Sequence, residues 1–221
     1  MTAHPALHPV EALGPEGART ADDLIALGRR FDARGWLLAT AGNLSAVVGA
    51  DPLRLMITAT GAHKGAMTRE DLVEVDDQGR VLAGHGQPSN EVLLHLAVIR
   101  VRGARAVVHT HSVASTLLSS SPWVGDRIEL TGLEMLKALH GVRGPEDRVV
   151  LPVLPNEQDI AALAPRAEEA LASSPEVHGL LLAGHGLYAW GRDVREAQRH
   201  AEALEFVLDV TWRRGAPTPN H

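Results

Sequence analysis

The segment Ala106-Val107-Val108-His109-Thr110-His111 carries two imidazoles at positions i and i+2 of an apolar run. Side chains alternate faces along a β-strand, so His109 and His111 point one way while Val108 and Thr110 point the other. Two imidazoles on one face chelate a single divalent ion at about 2.0–2.1 Å per bond. The other reading is a pair of half-buried polar residues at a strand end. Burying two histidines side by side with nothing bound is costly, which favours the metal. A catalytic Zn²⁺ needs a third protein ligand and an open position. His185 is the best candidate. It follows the apolar run Leu180 to Ala183, and Gly184 and Gly186 let the backbone turn tightly and approach a neighbouring strand.

Other histidines rank lower. Alone, a histidine between two glycines is more often a turn residue. Gly84-His85-Gly86 repeats the tripeptide in a segment with little apolar support, so His85 reads as a loop histidine. His95 lies one helical turn after Glu91 among Leu93, Leu94 and Leu96, and reads as a packing histidine. For His63, His140, His178 and His200, spacing identifies no partner.

Two carboxylates stand at predicted helix starts: Glu91 after Pro88-Ser89-Asn90, and Glu134 in Gly132-Leu133-Glu134-Met135. A carboxylate beside zinc is the usual proton-transfer group. A carboxylate at the positive end of a helix is also favourable with no chemistry at all. Small polar turns at Gly42-Asn43, Thr60-Gly61 and Ser89-Asn90 offer N–H groups and hydroxyls to an anion, and Lys64 is placed to add a charge. Each is equally an ordinary turn.

The elements that must position these groups follow from periodicity and caps. A helix is predicted from Thr20, with Asp23 completing a capping box, through Leu24, Leu27 and Phe31 to Gly35. Strands are predicted at Leu44 to Val48, Leu53 to Thr58, Val73 to Val75, Arg80 to Leu82, Ala106 to His111, Val149 to Val153, Val177 to Ala183 and Leu187 to Trp190. Helices are predicted at Glu91 to Val101 with Ser89 as N-cap, Ser112 to Ser120, Leu133 to Leu139, Asn156 to about Ala172 with Asn156 as cap, and from Asp193 to near Arg214. Strands and helices mix without regular alternation. One α/β domain with helices covering a mixed sheet is expected.

The whole-chain quantities agree. The 221 residues suffice for one sizeable core, built from Leu, Val, Ala and Ile because aromatics make up only 3%. A formal net charge of −6 argues against coating nucleic acid or an anionic membrane. With no cysteine, disulfides and thiolate metal sites are excluded, so histidine (12 copies) and carboxylates are the strong ligands available. No apolar stretch approaches bilayer length. Residues 1–18 carry no signal-peptide pattern and read as a flexible tail, as do 216–221, which leaves a cytoplasmic location as the expectation.

In order along the chain, Thr40-Ala41-Gly42-Asn43-Leu44-Ser45, Pro88-Ser89-Asn90-Glu91 with His95, His109-Thr110-His111-Ser112 and Gly184-His185-Gly186 resemble the motifs of the class II aldolase/adducin family. The resemblance runs from about Asp22 to Arg214. It implies that residues 19–215 form one α/β/α sandwich around a mixed, largely antiparallel sheet. It also implies a homo-oligomer, commonly a tetramer, with active sites near subunit contacts. It places one Zn²⁺ on His109, His111 and His185, makes Glu134 the acid/base group and puts Glu91 in the pocket. The substrate would be a small phosphorylated sugar, bound by Gly42, Asn43, Thr60, Gly61, Lys64 and Ser89. Gly132 to Lys137, Asn156 to Ile160 and Gly184 to Gly191 are most similar to the dehydratase branch of the family. The aldolase branch resembles itself in a tyrosine near the C-terminus, whereas the one tyrosine here is Tyr188. Adducin-like binding modules lack the three histidines.

Overall fold

The computed structural model describes residues 14–215. Nine strands form one sheet: β1 (Asn43–Ala50), β2 (Leu53–Thr58), β3 (Leu72–Val75), β4 (Val81–Gly84), β5 (Ala106–Thr110), β6 (Arg127–Leu130), β7 (Val149–Leu154), β8 (Gly179–Leu182) and β9 (Gly186–Gly191). The helices are α1 (Gly14–Ala33), α2 (Val92–Arg102), α3 (Val113–Ser119), α4 (Ile160–Ala172) and α5 (Val194–Arg213), with 3-10 segments at Arg69–Asp71 and Glu134–Ala138. The strand order is β4-β3-β2-β1-β5-β9-β8-β7-β6. Among the described residues only β7 and β8 pair in parallel.

The sheet is buried on both faces. Leu24, Leu27 and Phe31 of α1, Leu118 of α3 and Leu204 and Leu208 of α5 pack with Leu44, Val108 and Leu187 on one side. Leu94 and Val98 of α2 and Leu163 and Leu171 of α4 pack with Leu55, Val107 and Tyr188 on the other. That three-layer arrangement is the expected α/β/α sandwich. It explains why β5 and β8 read as continuous apolar runs rather than alternating ones: Val107, Val108, Leu180, Leu181 and Leu182 are all buried. Among the described residues no helix is long and apolar enough to cross a membrane.

Several local expectations need correction. Helix α1 begins at Gly14, so residues 14–18 are not a tail; residues 1–13 and 216–221 lie outside the described residues. Thr20 does not cap the helix. Its hydroxyl donates back to Glu16 O (3.1 Å), a bond that a mid-helix threonine makes readily. The end of α1 is as read: Gly35 adopts φ +73°, and Trp36 N–H reaches back to Phe31 O (3.0 Å). Asp159, not Asn156, caps α4, accepting from the N–H groups of Ala161 and Ala162. Ser89 does not cap α2, because Glu91 occupies the N-cap position. The helix expected over Leu133 to Leu139 is a single 3-10 segment. Strand β6 was not anticipated. Its four residues alternate exposed Arg127 and Glu129 with buried Ile128 and Leu130, the short charged form typical of a sheet edge.

Candidate metal centre

The site lies where β1, β5 and β9 run side by side. Register places Asn43 opposite His109, and His109 opposite Tyr188. Two glycines permit the close approach. A Cβ on Gly186 would stand 2.1 Å from Thr110 O. Gly42 combines φ +69° with a Cβ position 2.6 Å from His109 O. Side chains at either position would push the neighbouring strand away from the histidines.

Three Nε2 atoms converge: His109 to His111 2.8 Å, His111 to His185 3.1 Å, and His109 to His185 3.3 Å. In a tetrahedron with bonds of 2.0–2.1 Å the ligand–ligand edge is about 3.3–3.4 Å. The other ring nitrogens decide what Nε2 presents. His109 Nδ1 donates to Leu187 O (3.1 Å) and His185 Nδ1 donates to Asn156 Oδ1 (3.1 Å). In a neutral ring the proton on Nδ1 leaves Nε2 bare. At least two lone pairs therefore face one point, and a single proton on His111 cannot satisfy all three rings. A cation can, so the donor set fits a metal ion. Burial, reinforced by His111 and His185, holds His109 well below the ordinary histidine range. Burial likewise lowers His111 to about 4, with His185 and Lys64 adding to the effect. Both are thus neutral, the form a metal requires. His109 is fully buried and stacks on Tyr188 (centroids 4.0 Å apart, 13° between planes), whereas His111 and His185 are half-buried and open the cluster to solvent.

Glu91 closes the cluster from the α2 side. Its Oε2 lies 3.4 Å from His109 Nε2 and its Oε1 lies 3.5 Å from His185 Nε2. The carboxylate is held at the mouth of α2 by the chain before it. Ser89 N–H donates to Thr58 O (3.1 Å) and Thr60 N–H to Gln87 O (2.9 Å), tying the Thr60-Gly61 turn to Ser89. Ser89 Oγ in turn accepts from Glu91 N–H (3.3 Å).

The remaining expected groups are distributed unevenly. Thr60 and Gly61 are exposed in the turn tied to the Gln87–Ser89 segment, and Gly42 is buried against His109. The Asn43 side chain is already engaged, donating to Glu91 Oε2 (2.6 Å) and accepting from His95, so only its backbone is left for an anion. Lys64 is not a surface arm. It is 2% exposed, donates to Thr40 O (2.5 Å), and burial lowers it to about 8 against the opposing pull of Glu91 and Asp71. Glu134 does not join the histidines within one chain. Its side chain is 72% exposed and pairs with Lys137 (2.8 Å).

Two functional neighbours escaped the sequence reading. Asn156 reads as a helix cap in sequence, yet its side chain accepts from His185 Nδ1 (3.1 Å); Asp159 suffices as the cap, which leaves the Asn two residues past β7 as the signal of another role. Glu205 lies on the apolar stripe Ala201, Leu204, Leu208 of α5, where a carboxylate is out of place. It accepts from Thr110 Oγ1, behind the two strand histidines. Burial raises it to about 7 even against the hydroxyls of Ser112 and Thr110. Outer partners of metal ligands are typically worth about 10–100-fold in metal affinity. Asn156→Ala is accordingly expected to weaken metal binding by that order in a chelator competition, with the fold intact by circular dichroism; an unchanged affinity would remove Asn156 from the site.

His140, His178 and His200 gather elsewhere, in a cleft of about 980 Å³ at the opposite end of β5 and β9. There they act as buckles. His178 Nε2 donates to His140 O (2.6 Å), His200 Nδ1 donates to Trp190 O (2.8 Å), and His140 N–H donates to His200 Nε2 (3.1 Å).

Comparison with known proteins identifies the family. The chain is 47% identical over 194 residues to methylthioribulose-1-phosphate dehydratase of Methylococcus capsulatus, covering 87% of this chain and 93% of that one. It is 45% identical over 210 residues to the enzyme of the same name from Acidiphilium cryptum, covering 93% and 95%. Among solved structures, L-fuculose-1-phosphate aldolase from Thermus thermophilus superposes with a TM-score of 0.70 at 30% identity, covering 90% of this chain and 99% of that one. Residues 22–212 match the profile of the class II aldolase and adducin N-terminal domain. The three-layer fold and the match over nearly the whole chain lead to one conclusion: the protein belongs to the class II aldolase and adducin family.

Proposed function

We propose that this protein is a zinc-dependent hydro-lyase that dehydrates 5-methylthioribulose 1-phosphate to 2,3-diketo-5-methylthiopentyl 1-phosphate. The observation that carries the reading is the convergence of His109, His111 and His185 with Glu91 against them, in a chain 47% identical to a dehydratase of that name. A divalent ion on the three histidines supplies Lewis-acid polarisation of the substrate carbonyl, which lowers the cost of removing the adjacent C3 proton. The chain supplies the rest. The backbone at Gly42, Asn43, Thr60 and Gly61, with Ser89 and Lys64, holds the phosphate and spends that remote binding energy on orientation. Glu91 walls the pocket and aligns the sugar hydroxyls.

Glu134 takes the C3 proton and delivers a proton to the departing C4 hydroxyl. Water leaves, and the remaining enol tautomerises to the 2,3-diketone. Because Glu134 is exposed and pairs with Lys137 rather than with its own chain's histidines, we place it in the site of a neighbouring subunit. Support for such a contact comes from exposed apolar groups on packed neighbours: Val113 and Leu117 on α3, Met135 beside Glu134, and Phe206 on α5. A homo-oligomer is the assembly such a contact calls for, and the family resemblance favours a tetramer.

The fuculose-1-phosphate aldolase likeness sustains one rival, cleavage of a sugar phosphate at the same metal. Tyr188, fully buried against His109, is unsuited to meet a departing fragment in the open site. The test is an assay of metal-quantified protein on methylthioribulose 1-phosphate beside fuculose 1-phosphate. Diketone formation from the first is expected; cleavage of the second with no dehydration of the first would overturn the assignment.

A further inference from the structure

We infer that His95 is a positioning residue for the Glu91 carboxylate, acting through the side-chain amide of Asn43. The inference rests on the proposed place of Glu91 in the active site, whereas the hydrogen-bond chain itself belongs to the folded protein whatever it turns over. Asn43 and Ser45 are i and i+2 on β1 and so face the same side of the sheet. Glu91 and His95 are one turn apart at the start of α2 and face them. His95 is fully buried, edge-on to Tyr188 (centroids 5.7 Å apart).

The partners settle every proton in this chain. His95 Nε2 faces Asn43 Oδ1, which only accepts, so Nε2 carries the hydrogen. Nδ1 of the neutral ring is then an acceptor, and Ser45 Oγ donates to it (2.7 Å). With Oδ1 turned to His95, the amide nitrogen of Asn43 points at Glu91 and donates to Oε2 (2.6 Å). The reversed amide would set its oxygen against the Glu91 carboxylate, and would bond His95 only through the opposite tautomer, with Ser45 Oγ accepting from Nδ1–H. Flipping it therefore loses the bond to Glu91 and leaves two acceptors facing each other, so the carboxylate fixes the amide and the amide fixes the His95 tautomer. The result is a carboxylate locked in one plane, with Oε2 and Oε1 each aimed at a different histidine of the cluster. Burial lowers His95 to about 3, so the ring stays neutral throughout the physiological range and the arrangement does not switch.

Nitrogen NMR of the imidazole rings in the unaltered protein reads the tautomer directly and does not depend on which sugar phosphate is the substrate. The Nε2–H form is expected for His95; an Nδ1–H form overturns the proposal. For the functional consequence, His95→Leu is expected to retain the metal and KM within about threefold while kcat falls on the order of 10–100-fold, the effect of small misplacement at a reacting centre. His95→Gln, whose amide can donate to Asn43 and accept from Ser45, should recover most of that loss. Asn43→Ala combined with His95→Leu should cost little more than Asn43→Ala alone, because both act on one path. A purely structural His95 would lower the melting temperature of His95→Leu and leave kcat of the folded enzyme unchanged, which overturns the proposal. If His95→Leu does not fold, the tautomer and the Asn43→Ala kcat decide it.

Discussion

His111→Ala is expected to lose the metal and the activity together. His111 lies just past the end of β5, outside the strand ladder, with its N–H donating to Trp36 O (2.8 Å). Truncation leaves the strand hydrogen bonds and the core intact, so the protein should fold. What remains is a two-histidine site that no longer outcompetes solvent, since a catalytic zinc is held by three protein ligands. Lewis-acid stabilisation is worth several kcal/mol, so kcat/KM should fall on the order of 10³-fold or more at about 1.4 kcal/mol per decade. Elemental analysis and turnover on the same preparation check this. Full metal occupancy in His111→Ala would remove that residue from the ligand set. His85→Ala, at an exposed loop position, is the matched control and should keep both metal and turnover.

The second large effect concerns where Glu134 acts. Glu134→Gln keeps the side-chain shape and removes the proton acceptor, so turnover should fall by roughly 10²–10⁴-fold with metal and substrate binding retained. Co-assembly with His111→Ala subunits then separates the two possible geometries. Within one chain every mixed subunit is defective, so a site built from a single chain gives no recovery. Across a contact, a Glu134→Gln subunit offers intact histidines and its His111→Ala neighbour offers an intact Glu134. In a symmetric ring mixed one to one at random, about a quarter of the sites are then complete, and activity should return to about that fraction of wild type. No recovery in verified hetero-oligomers would place Glu134 in its own chain's site, after a movement of the 3-10 segment. A normal Glu134→Gln enzyme beside an inactive Glu91→Gln enzyme would instead hand the proton transfer to Glu91, which already touches the histidines.

Some of this site is written in local covalent geometry. A strand has a side-chain period of two, so His109 and His111 share a face in any fold that makes Ala106–Thr110 a strand. Asp193 caps α5, accepting from Glu196 N–H (2.8 Å), because an Asp side chain reaches the free N–H groups of the helix it precedes. Gly35 ends α1 because glycine alone takes its left-handed backbone without strain. Chemistry was legible from the same source: with cysteine absent, paired histidines are the ligands the chain has to offer.

Tertiary structure decided everything that depends on which distant residues meet. His185 reaches His111 across 74 positions because β9 lies against β5 in one register, and a slip of one residue would turn His109 away from it. Asn156 and Asp159 look alike as helix caps, and only the packing of α4 beside β7 leaves Asn156 free to hold His185. Lys64 and Glu134 are both charged residues near turns, yet one is buried beneath the site and the other stands in solvent. The physical reason is the same in each case. Backbone dihedrals and hydrogen bonds to the nearest few residues are set by the sequence around them. The depth, partners and protonation of a side chain are set by the elements that pack over it, and those arrive from parts of the chain that no local pattern connects.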